Sequence, residues 1–145
     1  LNFKNSKKQG DYGLGSAIAY FTRRSYTVAI PLTDSQDYDL IIDDNGTLKK
    51  VQVKTTSQIG RTKSTYIVEL RLIGGSLGDK VQKYANELDY DILYVITKSG
   101  EEYLIPKSAL IGVRSSIVVG NKWNEYRVSG AVGEAQQAVT LLSYD

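Results

Sequence analysis

At 145 residues, 41% hydrophobic and 23% charged, with two prolines and thirteen glycines, the chain is expected to form one soluble globular domain with a single core. It holds neither Cys nor His, which removes disulfides, structural zinc, Cys nucleophiles and imidazole bases, and leaves carboxylates, amides, lysines, hydroxyls and a hard oxygen-ligated ion such as Mg2+ or Mn2+. The net charge of +2 hides a segregation: residues 31–46 carry five acids and no bases, between basic stretches at residues 1–30 and 47–73. A mixed solvated surface is one reading of these runs; a metal-binding carboxylate beside a phosphate-attracting surface is the other.

The first ten residues carry three lysines and no apolar run, so no secretory signal is expected in the chain, and no apolar stretch reaches the ~18 residues that span a bilayer. The missing starting Met points to trimming or engineering. Leu14, Ala17, Ile18 and Phe21 recur at helical spacing and predict a helix from Asp11 to Arg24, with Asp11 on the same stripe, as a cap or first-turn acid or in a functional role. Tyr26 to Ile30 reads as a short strand. Tyr38 to Asp43 and Leu48 to Thr56 read as paired strands around Asn45-Gly46, a strong hairpin signal. Tyr66 to Ile73 alternates as a half-exposed strand, and Asp79 to Leu88 reads as a second helix. Asp91 to Thr97 is apolar enough for a central strand, followed by Tyr103 to Ile105. Ile117 to Val119 and Tyr126 to Val128 are weaker strand candidates, and Gly133 to Leu142 suits helix or strand. The expected architecture is α/β or α+β, with a mixed sheet flanked by helices.

With a two-residue loop at Asn45-Gly46, cross-strand partners sum to 91, which sets Asp39 opposite Gln52 and turns Lys54 to that same face. Leu40, Ile42, Val51 and Val53 fall on the other face and build core. A carboxylate, an amide oxygen and an ammonium thus converge, a set suited to phosphodiester hydrolysis. Asp39, the Gln52 amide oxygen and the Val53 carbonyl are candidate metal ligands, and Asp11 joins them if the helix crosses the sheet. Lys54 is placed to orient water or stabilise phosphoryl charge. A surface hairpin with solvated charges is the alternative, disfavoured because Asp39 and Lys54 sit in apolar runs. Tyr90-Asp91-Ile92-Leu93 echoes the motif without a matching Gln-x-Lys, and counting across Ser99-Gly100 sets Asp91 opposite Ser108, so Asp91 is expected to be structural.

Tyr38-Asp39-Leu40-Ile41, the thirteen-residue step from Asp39 to Gln52, and Val51-Gln52-Val53-Lys54 together resemble the PD-(D/E)xK nuclease superfamily. The likeness extends to its cyanobacterial group I intron-encoded homing endonuclease branch in Gly10-Asp11, Tyr26, Pro31 and the Gln-Val-Lys form of the last motif. The resemblance implies a restriction-endonuclease-like αβββαβ core with extra β-strands. It implies Asp11 as the helix acid, Asp39 as the central metal ligand, Gln52 in the usual Glu/Asp position and Lys54 as the motif lysine. Gln52 removes one negative charge from that pattern, and Tyr38 replaces its proline.

Base reading is expected of Arg61, Lys63 and Arg71, and phosphate contact of Lys49 and Lys50, with Lys4, Lys7 and Lys8 as further N-terminal bases. Trp123, Tyr126 and Arg127 form either a DNA- or subunit-facing patch or, for the tryptophan, core. One small chain reads a short half-site, so a homo-oligomer, a dimer or a dimer-of-dimers tetramer, is expected on a pseudopalindromic double-stranded DNA target, with no membrane partner. The expected cofactor is Mg2+, with Mn2+ substituting and Ca2+ binding without supporting cleavage. The expected activity is site-specific DNA cleavage promoting intron homing in a bacterial cytoplasm. The alternatives are a Holliday-junction resolvase or restriction-like endonuclease of the same fold, and a noncatalytic DNA-binding domain.

Overall fold

The computed structural model describes residues 5–75 and 78–128; the expected element at Gly133 to Leu142 lies outside them. Helix α1 spans Ser6–Arg23, starting earlier than its apolar stripe because the Asn5 side chain accepts the Lys8 N–H at 3.0 Å and caps it. Asp11 is therefore neither cap nor first-turn acid. Strands β1 (Thr27–Ala29), β2 (Leu40–Asp44) and β3 (Thr47–Thr56) follow. Asn45 and Gly46 at φ 52° and 92° make the expected turn, and the β2–β3 pairs run from Asp44↔Thr47 to Leu40↔Val51.

Beyond the hairpin two expected elements fail to form. The strand expected from Tyr66 to Ile73 breaks into β4 (Tyr66–Glu69) and β5 (Leu72–Ile73), because the Arg71 N–H is taken by the Glu69 carboxylate at 2.9 Å and not by a neighbouring strand. The second helix, expected at Asp79 to Leu88, is instead β6 (Val81–Lys83), paired with β5, and a single 3-10 turn at Ala85–Glu87. Glu87 accepts the Tyr84 N–H at 2.6 Å and Ala85 donates to the Arg114 carbonyl, so local and long-range bonds replace the helical ladder. Ala85 and Leu88 still reach the core. The chain continues through β7 (Ile92–Thr97), β8 (Glu102–Pro106), β9 (Ser116–Val119) and β10 (Arg127–Val128).

The main sheet has six strands in the order β1-β2-β3-β7-β8-β10, all antiparallel except the parallel β3–β7 pair. Every residue of β7 is buried, as expected of a strand covered on both faces. The β7–β8 pairs sum to 198, one less than counted from the turn, so Asp91 bonds Lys107 through its backbone and not Ser108. On one face α1 packs Ala17, Tyr20 and Phe21 onto Leu40, Ile42, Val51 and Tyr94. On the other, the β4–β9 pair and the 3-10 turns pack Val68, Leu70, Leu88 and Ile117 onto Leu93, Val95 and Tyr103, and Trp123 joins that core. The fold is therefore α+β with one α-helix among the described residues.

Helix and sheet touch most closely at Gly13, where a Cβ would meet Thr55 Oγ1 and lie 3.3 Å from Thr55 Cβ and 3.4 Å from Val53 Cγ1. Gly15, two residues on, has nothing within 4 Å. Gly15→Ala is expected to stabilise by up to ~1 kcal/mol through helix propensity. Gly13→Ala is expected to destabilise by about 1–3 kcal/mol, because overpacking outweighs the same propensity gain. Urea denaturation midpoints of the two variants check both signs.

Candidate functional site

Strand β2 begins at Leu40, opposite Val51, whereas β3 runs on to Thr56, so the later residues of β3 have β7 on one side and no β2 partner on the other. At this step the ladder slips by one residue: the Asp39 N–H donates to the Val51 carbonyl at 2.9 Å. Asp39 is thus not the ladder partner of Gln52, as counting by 91 had it. Its carboxylate takes the place of the missing strand, with Oδ2 accepting the Val53 N–H at 2.8 Å. A strand residue sends its N–H and C=O to the same edge, so the Val53 carbonyl opens on this gap. The Gln52 amide lies beside it, its Nε2 3.4 Å from that oxygen. Further along, the Gln9 side chain of α1 donates to the Thr55 carbonyl at 3.0 Å.

Two cavities meet at the gap. One, of about 350 Å3, lies between the start of α1 and β3 and is lined by Gln9, Gly10, Leu14, Asp39, Val53 and Lys54, among others. The second, of about 420 Å3, has Asp37, Asp39, Gln52, Lys54 and Arg71 in its wall. Asp39 and Lys54 line both. A larger cavity of about 470 Å3 between α1 and the ends of β7 and β8 contains none of the motif residues, and its Tyr12, Arg23 and Glu102 lining offers no comparable donor set.

Burial pushes the Asp39 carboxyl above its ordinary value, against the pull of the Val53 N–H and the Lys54 charge. Burial also lowers Lys54, against the pull of Asp39 and Glu69. Each charge therefore helps keep the other ionised. Asp39 and Lys54 form no direct ion pair among the described residues. The Asp39 carboxylate and the Val53 carbonyl are hard oxygen donors that fit a divalent cation of the Mg2+ or Ca2+ type, and the Gln52 amide adds its oxygen when turned over from the placing that sets Nε2 toward Val53. The set carries a single carboxylate, and the described residues hold no cluster of three acidic or His side chains.

The structure thus gathers Asp39, Gln52, Val53 and Lys54. It leaves Asp11 out: that side chain is exposed, about a third of a turn round α1 from Gly10, while Gln9, Gly10 and Leu14 face the gap. Asp11 lines neither of the two cavities. Lys49, expected at phosphate, is 8% exposed on the face it shares with Val51. Lys50 is held by Asp89 at 2.7 Å. Arg61 and Lys63 are exposed in the turn before β4, and Arg71 lines the cavity beside Asp39. Asp91 accepts the Lys50 N–H at 2.8 Å and joins strands, as expected.

The roles of three residues escaped sequence reasoning. Gln9 became visible only once the helix register was known. Asp37 anchors the loop before β2 by accepting Lys83 at 3.0 Å and the Asp89 N–H at 3.0 Å. Glu69 grips Arg71 with both carboxylate oxygens, at 2.7 and 2.9 Å. An acid two residues from a base in a strand was the available signal for that pair.

The sequence profile of the PD-(D/E)XK endonuclease family matches residues 4–133. Protein 5.3 of Escherichia phage T7 is 32% identical over 106 residues, covering 72% of this chain and 83% of that protein. A solved structure titled as a bacterial homing endonuclease, I-Ssp6803I, superposes with a TM-score of 0.71 at 23% identity, covering 96% of this chain and 93% of the other. This likeness shows a shared fold.

Burial raises the Asp37 pKa, but the Asp89 N–H and Lys83 outweigh it and hold the carboxyl below its ordinary value. Asp37→Ala is expected to cost about 1–2 kcal/mol at pH 7, at the modest end because Lys83 is half exposed. A depressed folded pKa gives stability that is present above the unfolded value near ~4 and lost as pH falls through the folded value. Urea melts of wild type and variant should therefore differ at pH 7 and converge in acid.

Proposed function

The chain belongs to the PD-(D/E)XK endonuclease family, and from that premise we propose that it is a site-specific homing endonuclease, making Mg2+-dependent double-strand breaks in DNA to promote intron homing. The observation that carries this reading is the Asp39 carboxylate fixed on the Val53 N–H at 2.8 Å, with Gln52 and Lys54 in the same cavity. Its fold, shared with a bacterial homing endonuclease, supports the same reading.

In this assignment the Asp39 carboxylate, the Gln52 amide oxygen and the Val53 carbonyl would hold the ion. A divalent ion bound there lowers the pKa of water and offsets phosphate charge, which gives a nucleophile without histidine. Mn2+ substitutes, and Ca2+ binds without supporting cleavage. Asp39 keeps its donor oxygen in place because its other oxygen is committed to β3. Lys54, half-buried and beside Asp39, stabilises the charge that develops on the phosphoryl oxygens. Arg61 and Lys63, exposed on the turn before β4, contact the duplex away from the cut. One chain covers a short half-site, so the functional unit is a dimer or a dimer of dimers on a pseudopalindromic target.

Incubation with Mg2+ and a plasmid library is expected to give discrete linear products, abolished by EDTA. Lys54→Ala should lose at least about a hundredfold in rate, comparable to removal of one preorganised donor. Full activity in both Lys54→Ala and Asp39→Asn would remove the assignment. Gln52→Glu should tighten ion binding in a calorimetric titration with Ca2+, because it restores a charge to the donor set. Arg61→Ala should weaken duplex binding and flatten the salt dependence by roughly 0.9 in log–log slope, read by fluorescence anisotropy.

A further inference from the structure

The break between β4 and β5 places a second cation at the cleft. Arg71 lies in the wall of the cavity that also holds Asp39, Gln52 and Lys54, although its position in an alternating strand suggested an outward base reader. It is not a loose surface side chain. Its Nε and Nη2 donate to the two Glu69 oxygens at 2.7 and 2.9 Å, and its backbone N–H donates to Oε1 at 2.9 Å. A guanidinium has five N–H donors in a planar fork, so this grip fixes the plane and leaves the Nη1 edge for a further acceptor. Arg71 is 31% exposed at its side chain, sheltered enough to be ordered and open enough to be reached.

The other cations near the cleft are committed differently. Lys50 is bound to Asp89, Lys83 to Asp37, and Lys49 is buried. Glu69 also lines a groove with Lys54, so one carboxylate stands between the two cations that face the cleavage centre. A planar, pre-oriented fork beside the residues proposed to hold the scissile phosphate matches a neighbouring phosphate better than a base edge.

We propose that Arg71 binds a phosphate adjoining the scissile one, with Glu69 as its positioning residue. This rests on the nuclease reading and adds to it a second anchor for the strand being cut. With one phosphate held at Lys54 beside the ion site on Asp39 and the next at Arg71, the backbone is fixed on both sides of the reacting bond, which favours in-line geometry.

The test combines variants with backbone chemistry on a cleavable duplex. Arg71→Ala is expected to slow single-turnover cleavage about a hundredfold while duplex affinity in Ca2+ changes less than tenfold. Arg71→Lys should recover little, because an ammonium lacks the fork. Glu69→Gln should fall between wild type and Arg71→Ala. Uncharged methylphosphonates placed singly at the phosphates flanking the cut should include one that slows the wild type comparably and slows Arg71→Ala no further. Additive losses at every position would overturn the proposal, as would a loss confined to duplex affinity. An active wild type with an inactive Lys54→Ala and a fully active Arg71→Ala overturns this proposal alone. A wild type inert on every duplex overturns it together with the function on which it rests.

Discussion

The site exists because β3 is longer than the strand beside it. Past Val51 the polar groups along one edge of β3 have no β2 partner, and buried backbone groups of this kind require substitutes. Asp39 supplies one by accepting the Val53 N–H, and Gln9 supplies another by donating to the Thr55 carbonyl. The carboxylate is therefore held by the same bond that repairs the sheet. Asp39 and Val53 then line one cavity at the gap that the strand mismatch leaves.

The neighbouring Asp91 shows how much depends on that mismatch. It too accepts a backbone N–H from β3, that of Lys50, and follows a tyrosine as Asp39 does. On that edge, however, β7 continues in parallel beside β3 and its residues are wholly buried. The same local chemistry there closes a seam between two strands. One aspartate becomes structural and the other available because of what lies beyond each of them.

The charges divide along similar lines. Asp37, Asp89 and Glu69 each hold a base, at Lys83, Lys50 and Arg71, and these pairs frame the cleft. Asp39 and Lys54 share the interior without a direct pair, each destabilised by burial and supported by the other's charge. Burying a charge is tolerated only with such compensation. The fully buried β7 and the two cores give it a rigid floor.

The sequence by itself determined the hairpin, the buried central strand, the segregation of acids from bases, and the grouping of Asp39, Gln52 and Lys54. These follow from turn chemistry and a two-residue period, which act over a few residues and leave a readable pattern. Other features depended on contacts across long stretches of chain. The start of α1 was decided by Asn5, which brought Gln9 and Gly10 into the helix, where they line the cavity at the site. The supposed second helix became strand and turn because β5 and Arg114 offered partners that local apolar spacing cannot reveal. Lys49 and Arg71 lie in surroundings that their strand positions did not announce, the one buried and the other paired with Glu69 in a cavity wall: whether a base is buried, paired or facing a cleft is set by the elements packed around it, and only the tertiary structure fixes those.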